Sequence, residues 1–381
     1  MQVTTLGIDL AKNVFSLHGC DANGKAVLRK QLTRVQLLSF IANLPRCTVA
    51  MEACGGAHYW AREMEKLGHQ VRLIAPKFVS PYVKANKNDA SDAEAICEAA
   101  SRPSMRFVAL KSAAQQDIQA IHRVRQQLVK SRTGLANQVH GLLAEHGIVF
   151  RRGFAQLRRA LPMILEDPEN GLSGVMRELL SEIGERLRFI DDRLRKYDLI
   201  IQRLFRDDER CRRVAAVEGI GPLTATALVA AVGNATEFRS GRELAAYLGL
   251  VPRHRASGGR TVLLGISKRG NRYLRTLLIH GARSALYRIE RHRGARAVWA
   301  ARIKLHRGPN VAAVALANKN ARVLWALLGR GENYRLASRC AYRRCRWSCA
   351  DSTWSSVCLR EGKYYSPDRH LRELWIRTGN R

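Results

Sequence analysis

Four carboxylates in this sequence stand where an acid has a reason to be functional. Asp9 ends the apolar strand run in LGIDL, Glu52 closes TVAME just ahead of a cysteine and a Gly-Gly pair, and Asp89 and Asp92 lie close together in NDASDAEAI. Burying a lone carboxylate at the end of an apolar strand is costly, so Asp9 must face a site or the surface. If one helix covers Asp89 and Asp92, the two share a face. A cluster of this kind serves phosphodiester chemistry, in which two divalent ions about 3.5–4 Å apart attend the attacking and leaving oxygens. Hard oxygen ligands suit Mg2+, and no His/Cys set competes for it. The acids also have ordinary structural uses, Asp89 as an N-cap and Asp92 in the field of a helix N-terminus.

A second chemical group lies far along the chain, in PRHRASGGRTVLLGISKRGNRYLR from Pro252 to Arg275. Arg253, Arg255, Arg260, Lys268, Arg269, Arg272 and Arg275 crowd this stretch, and it contains no acid. Ser257 sits on a small Ser-Gly-Gly turn among the guanidiniums. A serine beside DNA can attack a phosphodiester and hold the strand covalently, conserving the bond energy for rejoining. Arginines would stabilise the charge that develops on phosphorus. Ser267, in GISKRGN, is a second candidate, and a plain phosphate-binding loop would leave the same pattern. Upstream, Val217-Glu218-Gly219-Ile220-Gly221-Pro222 followed by LTATALVAAV has the form of a helix-hairpin-helix, whose glycines let backbone N–H groups approach a phosphate. A Gly-Pro turn between two packed helices would look alike.

The elements that must position these groups are legible in outline. Residues 1–103 alternate strand-like and helix-like runs: VTTLGIDL, VFSLHGC and KAVLRKQL, then helical VQLLSFIANL, strand-like CTVAMEA, helical AHYWAREMEKLG and strand-like QVRLIAP. Three strands in succession followed by strand and helix alternation predict an α/β sheet. Residues 104–205 carry long helical patterns, read as an arm that forms either a dimerising coiled coil or an antiparallel hairpin within one subunit. A mostly helical region, 206–335, holds the glycine turn and the serine stretch. Residues 336–381 have no clear period and form a poorly specified tail. Its cysteines, Cys340, Cys345, Cys349 and Cys358, fit no familiar zinc spacing.

Composition fixes the kind of partner. The 381 residues include 65 Lys+Arg against 32 Asp+Glu, a formal net charge of +33, with 46% hydrophobic residues. Such a chain has material for packed cores and is not a basic tail; its charge calls for a polyanion, nucleic acid before any small acidic substrate. The cysteines number nine, an odd count, and Cys20, Cys47, Cys54, Cys97 and Cys211 lie too scattered for a secreted framework, so reduced thiols are the default. The longest uncharged run, Gly219 to Thr236, is broken by Gly221, Pro222, Gly233 and Asn234, and the N-terminus lacks a basic leader. A cytoplasmic protein without a membrane partner is expected.

The ordered blocks LGIDLAKNVF, MEACGGAHYWAREMEKLGH, APKFV with KNDASDAEAI, VEGIGPLTATALVAAVG, ELAAYLGLVPRHRASGG and ISKRGNRYLRTLLIHGARSAL resemble the transposases of the insertion sequence 110 family, most closely its insertion sequence 1111 subgroup. The resemblance runs from about residue 5 to 335 and agrees in two unrelated regions. It implies an N-terminal ribonuclease H-like domain of the RuvC type, a coiled-coil region and a C-terminal transposase domain. The family's Asp-Glu-Asp-Asp set falls on Asp9, Glu52, Asp89 and Asp92, and its serine falls on Ser257. The resemblance further implies Mg2+ at the carboxylates, serine as nucleophile, a site shared between protomers of a dimer or tetramer, and an element-derived RNA that guides the choice of donor and target DNA in a prokaryotic, nucleoid-associated setting. Gly219, Gly221, Arg253, Arg255, Arg260, Lys268 and Arg269 are the expected nucleic-acid contacts. Two other functions fit the same residues less fully, a metal-dependent Holliday-junction-type nuclease and a non-enzymatic nucleic-acid scaffold. GIDL openings also occur in actin-like and sugar-kinase-like folds, but the second Gly-rich Asp hairpin and adenosine motif those need are missing.

Overall fold

The computed structural model describes residues 2–83, 89–289 and 294–334. The tail beyond them, with its cysteine cluster, lies outside the described residues.

The N-terminal region forms β1 (Thr5–Asp9), β2 (Val14–Cys20), β3 (Ala26–Thr33), α1 (Arg34–Ala42), β4 (Thr48–Glu52), α2 (Ala57–Lys66), β5 (Gln70–Ile74), the single turn α3 (Pro76–Val79), α4 (Asp89–Ser101) and the two-residue β6 (Phe107–Val108). They make one mixed sheet in the order β3-β2-β1-β4-β5-β6. β1, β2 and β3 are antiparallel neighbours, β1, β4 and β5 run parallel, and β6 returns antiparallel. The expected α/β sheet is thus present, and β6, too short for a pattern of its own, is an addition to it.

The central strands are buried on both faces, which is why LGI and VAM read as continuous apolar runs and not as alternation. Leu6, Ile8, Val49 and Met51 pack with Leu37 and Ile41 of α1 and Trp60 and Ala61 of α2. On the opposite face Ala50 packs with Ala95, Ile96 and Ala99 of α4. Small residues on that face let α4 lie almost against the sheet. A Cβ on Gly7 would come within 2.4 Å of the Ala93 carbonyl oxygen and 2.7 Å of the Cys97 nitrogen.

The two long helices, α5 (Ala113–Glu145) and α7 (Gly174–Asp207), flank the shorter α6 (Phe154–Glu166). Ser112 and Ser173 cap the long helices by accepting from the Gln115 and Met176 amides. Arg125 pairs with Asp198 at 2.6 Å and Arg132 with Asp191 at 3.0 Å, so partner numbers fall as α5 advances. Within the chain the two long helices form an antiparallel hairpin. Val139, Leu143, Leu180, Ile183 and Leu187 fill its seam with Leu157 and Leu161 of α6.

The C-terminal region comprises α8 (Glu209–Ala215), α9 (Pro222–Val232), α10 (Gly241–Tyr247), a ribbon of β7 (Pro252–Ser257) and β8 (Arg260–Ile266), α11 (Arg272–Tyr287), α12 (Ala295–Arg307) and α13 (Pro309–Gly329). Its core gathers Leu228, Val229, Leu244, Leu248, Leu274, Leu278, Leu316 and Leu324. Among the described residues α13 is the one helix long and apolar enough to cross a membrane by length and composition. It lies in this core, with Asn320 fully buried and donating to the Glu218 carbonyl at 3.0 Å.

A buried polar joint ties α5 to the C-terminal bundle. Thr226 Oγ1 donates to the Pro222 carbonyl at 2.8 Å and therefore accepts from His122 Nε2–H at 3.0 Å. His122 Nδ1 is left to accept from the Tyr273 hydroxyl at 3.0 Å. This network assigns the neutral tautomer. Burial, reinforced by nearby Arg125, holds His122 down to about 4 from 6.5. Between those values the unfolded chain binds a proton that the folded chain refuses, so stability is full above about pH 6.5 and falls as pH drops toward 4. A His122→Gln variant is expected to reduce that acid-side slope by at most about 1.4 kcal/mol per pH unit, measured as unfolding free energy against pH.

Candidate active site

Strand register brings the first two carboxylates together. Ile8 is paired with Met51 across β1 and β4, so the next residues, Asp9 and Glu52, end neighbouring parallel strands at the same edge. Asp9 follows Gly7 by two, and Glu52 follows Ala50 by two, which puts both on the face covered by α4. That helix runs antiparallel to β1: the Cys97 thiol donates to the Thr5 carbonyl at 3.6 Å, and Gly7 meets Ala93 one turn earlier in the helix. The first turn of α4 carries Asp89 and Asp92, at the end of the helix that points toward the Asp9 end of β1.

The electrostatics agree with that corner. Cys54 has its thiol pushed up chiefly by partial desolvation, then by the negative charge of Glu52, with Asp9 also contributing. Asp9, Glu52 and Asp92 are half-buried and Asp89 is exposed. Among the described residues no three His, Cys, Asp or Glu side chains stand close enough to hold a metal ion. The fold thus sets Asp9 and Glu52 on neighbouring strand ends, with no ligand cage closed around the acids among the described residues. Their donor chemistry, carboxylate oxygen alone, fits a hard divalent cation.

Ser257 occupies the end of the β7–β8 ribbon. It pairs directly with Arg260 across a two-residue Gly258-Gly259 loop. Both glycines are left-handed, φ +54 and +76, the requirement of a type I′ hairpin turn, which matches the twist of the strands. Arg255 pairs with Val262, so Arg255, Ser257 and Arg260 share one face of the ribbon. Every residue of β7 is exposed, and the two strands pack chiefly on each other. The sequence reading had the turn but missed the ribbon in a region expected to be mostly helical. The signal was there, Gly-Gly between two runs of strand-forming length.

The two serines differ in access. Ser257 is exposed, whereas the Ser267 hydroxyl is buried and has no hydrogen-bond partner. A nucleophile must reach phosphorus, so the geometry favours Ser257.

The cations divide as well. Arg253, Arg255, Arg260, Lys268, Arg269 and Arg272 are exposed. Lys268 has a left-handed backbone, φ 55, held where Gly249 and Gly270 pack against neighbouring backbone. Asn271 then caps α11 by accepting from the Leu274 amide, so Lys268, Arg269 and Arg272 gather at a helix N-terminus, a natural phosphate seat. Arg275 does not belong with them. It is buried and donates to the carbonyls of Leu248 at 3.1 Å and Arg269 at 3.2 Å.

The glycine turn between α8 and α9 also has two parts. Gly219, φ +84, packs backbone to backbone on α11, and a Cβ on Gly281 would lie 1.8 Å from the Gly219 carbonyl oxygen. Gly219 is thereby explained by close packing, while Gly221 is exposed with open space beside it. A Gly281→Ala variant is expected to lose about 2–4 kcal/mol of stability, because backbone stands on both sides of the clash. Chemical denaturation would measure the loss.

Comparison with known proteins adds the following. Residues 6–148 match a family model described as a transposase of the DEDD type, and residues 211–298 match one described as the IS116/IS110/IS902 transposase family. A probable family 20 transposase of Pseudomonas aeruginosa is 53% identical over 336 residues, covering 88% of this chain and 99% of the relative. The transposase for insertion sequence element IS1111A of Coxiella burnetii is 46% identical over 333 residues, 87% of this chain and 92% of its own. The transposase for element IS1328 of Yersinia enterocolitica is 43% identical over 329 residues, with 86% and 98% covered.

Proposed function

The chain belongs to the IS110/IS116/IS902 family of insertion-sequence transposases, enzymes that cleave and rejoin DNA, and we propose that it does so as an RNA-guided, serine-dependent, site-specific recombinase. In this reading residues 1–103 are a RuvC-like domain, 104–205 a helical arm through which copies associate, and 206–335 the serine-bearing domain with a helix-hairpin-helix-like turn. The observation that carries it is Ser257, exposed on an acid-free cationic ribbon and sharing a face with Arg255 and Arg260.

Ser257 Oγ attacks the phosphodiester phosphorus. An Oγ–P bond forms as a strand P–O bond breaks, and the proton of the serine ends on the departing hydroxyl. The strand stays joined to protein until a hydroxyl of the exchanging strand attacks the same phosphorus and restores the serine. Arg255 and Arg260 bind the phosphoryl oxygens as negative charge builds on them. Lys268 and Arg269, with the N-terminus of α11 behind them, hold neighbouring phosphates, as do Arg253 and the exposed Gly221 amide. Asp9, Glu52, Asp89 and Asp92 would hold Mg2+, which supplies Lewis acidity at phosphate oxygens. The carboxylate corner and the ribbon belong to different regions of the chain, which supports a site completed between copies in a dimer or tetramer.

A guide RNA is the part of the reading with the most direct test. RNA that co-purifies with the protein expressed beside its element is sequenced. A discrete element-derived species is the expected result, and unselected cellular RNA would leave only polyanion binding.

A further inference from the structure

The α/β region carries a second cluster of titratable groups, distinct from the carboxylates and made only of bases. Lys111 Nζ lies 3.2 Å from His58 Nε2, and the Lys111 backbone N–H points at His58 Nδ1 from 3.3 Å. Arg62 Nη1 donates to the Lys111 carbonyl at 2.8 Å and to Gln116 Oε1 at 2.6 Å. All three basic side chains are half-buried. Among the described residues none of them makes an ion pair, although a guanidinium and an amine set beside a histidine only to brace a loop would ordinarily be given a carboxylate.

We propose that His58, Arg62 and Lys111 form a phosphate-binding site for duplex DNA lying across the edge of the sheet that bears Asp9 and Glu52. His58 Nδ1 accepts from a backbone amide, so the neutral ring carries its proton on Nε2, facing the lysine ammonium donor to donor. A phosphate oxygen beside that pair gives both donors an acceptor.

The free protein instead limits the charge. Burial, then Lys111 and Arg62, hold His58 at about 4, and burial with nearby Arg123 holds Lys111 below its ordinary value. The 33-residue helix α5 is N-capped by Ser112, beside Lys111, with no acid in its first turn, and so directs its positive end to the same place. Position favours DNA as the source of the phosphate. Gly56, the N-cap of α2, is four residues past Glu52, so the first turn of α2 starts at the carboxylate edge. A strand delivered to the acids has its flanking phosphates within reach.

This inference rests on the chain's handling of DNA and not on the identity of the nucleophile. The test is the affinity of the full-length protein for a fluorescein-labelled random-sequence duplex across a KCl series, with melting curves for each variant. Lys111→Gln is expected to weaken binding about fivefold and to lower the salt slope by about one. Lys25→Gln, the same charge change at an exposed turn, is expected to do neither. Calorimetry in buffers of different ionisation heat supplies a readout that a structural role would not move. At about pH 5 wild-type protein takes up a proton on binding, because a phosphate beside His58 favours the charged form of a ring held at about 4 in the free protein, and His58→Gln loses the uptake. Lys111→Arg, which keeps the charge, keeps the salt slope. Equal effects of Lys111→Gln and Lys25→Gln would overturn the site. So would a loss of affinity confined to RNA, or an Lys111→Arg protein that melts normally and yet has lost the slope. The salt dependence of the wild-type protein reports separately on whether the chain binds DNA.

Discussion

A Ser257→Ala variant is expected to bind DNA as the wild-type protein does and to form no covalent protein–DNA adduct, with strand exchange reduced by at least about a thousandfold. Ser257 is exposed at a hairpin end and packs against nothing that alanine would disturb, so loss of the hydroxyl is separable from loss of fold. Denaturing electrophoresis of protein incubated with end-labelled donor DNA reads the adduct, and product junctions read the exchange. The outcome also separates the two enzymatic readings of the chain. If the adduct disappears and strand cleavage disappears with it, the serine is the attacking group. If Ser257→Ala still nicks DNA at a wild-type rate, cleavage is hydrolytic and the ribbon serves only to bind. Ser267→Ala, by contrast, removes a buried hydroxyl that has no partner, and recombination is expected to stay close to the wild-type rate.

Neutralising the carboxylate corner is expected to have an effect as large. Asp9→Asn should lower strand cleavage by at least about a thousandfold, and a chelator should do the same to the wild-type protein. DNA binding should survive, since the cations of the ribbon and of the α11 N-terminus are untouched. Cys54 offers an internal control. The charge of Asp9 contributes to holding its thiol up, so Asp9→Asn makes the thiolate form more readily, and alkylation of exposed Cys54 should quicken at a given pH. Faster alkylation with unchanged melting would show that the charge was removed and the corner kept its shape. An Asp9→Asn protein that recombines normally would exclude the carboxylates from the reaction and leave the acids with structural roles alone.

Glu52 shows how much of the site a linear reading can reach. Its position at the end of TVAME marked it as an acid at a strand end, but nothing in those residues says that it stands beside Asp9. That follows from the pairing of Ile8 with Met51, a contact between segments some forty residues apart in the chain. Gly7 is a similar case. In sequence it is one glycine in a strand, and in the fold it is the point where α4 comes closest to the sheet, which sets how far Asp89 and Asp92 project. The basic cluster of His58, Arg62 and Lys111 went unread because its members come from α2 and from the connection into α5, with no shared pattern to mark them.

Local chemistry determined what could be read from the chain alone: apolar runs that had to be strands, helical periods, glycines at a hairpin, an acid at a strand end, and an excess of cations that had to meet a polyanion. Tertiary structure decided among uses that local chemistry leaves equal. It paired the long helices with each other, turned Arg275 inward to satisfy carbonyls, gave Gly219 to packing, and left Ser257 in solvent while burying Ser267. The physical reason is that burial and charge proximity depend on what lies across the fold. A hydroxyl, a guanidinium or a carboxylate has the same intrinsic chemistry at every position, and its neighbours determine whether that chemistry is available.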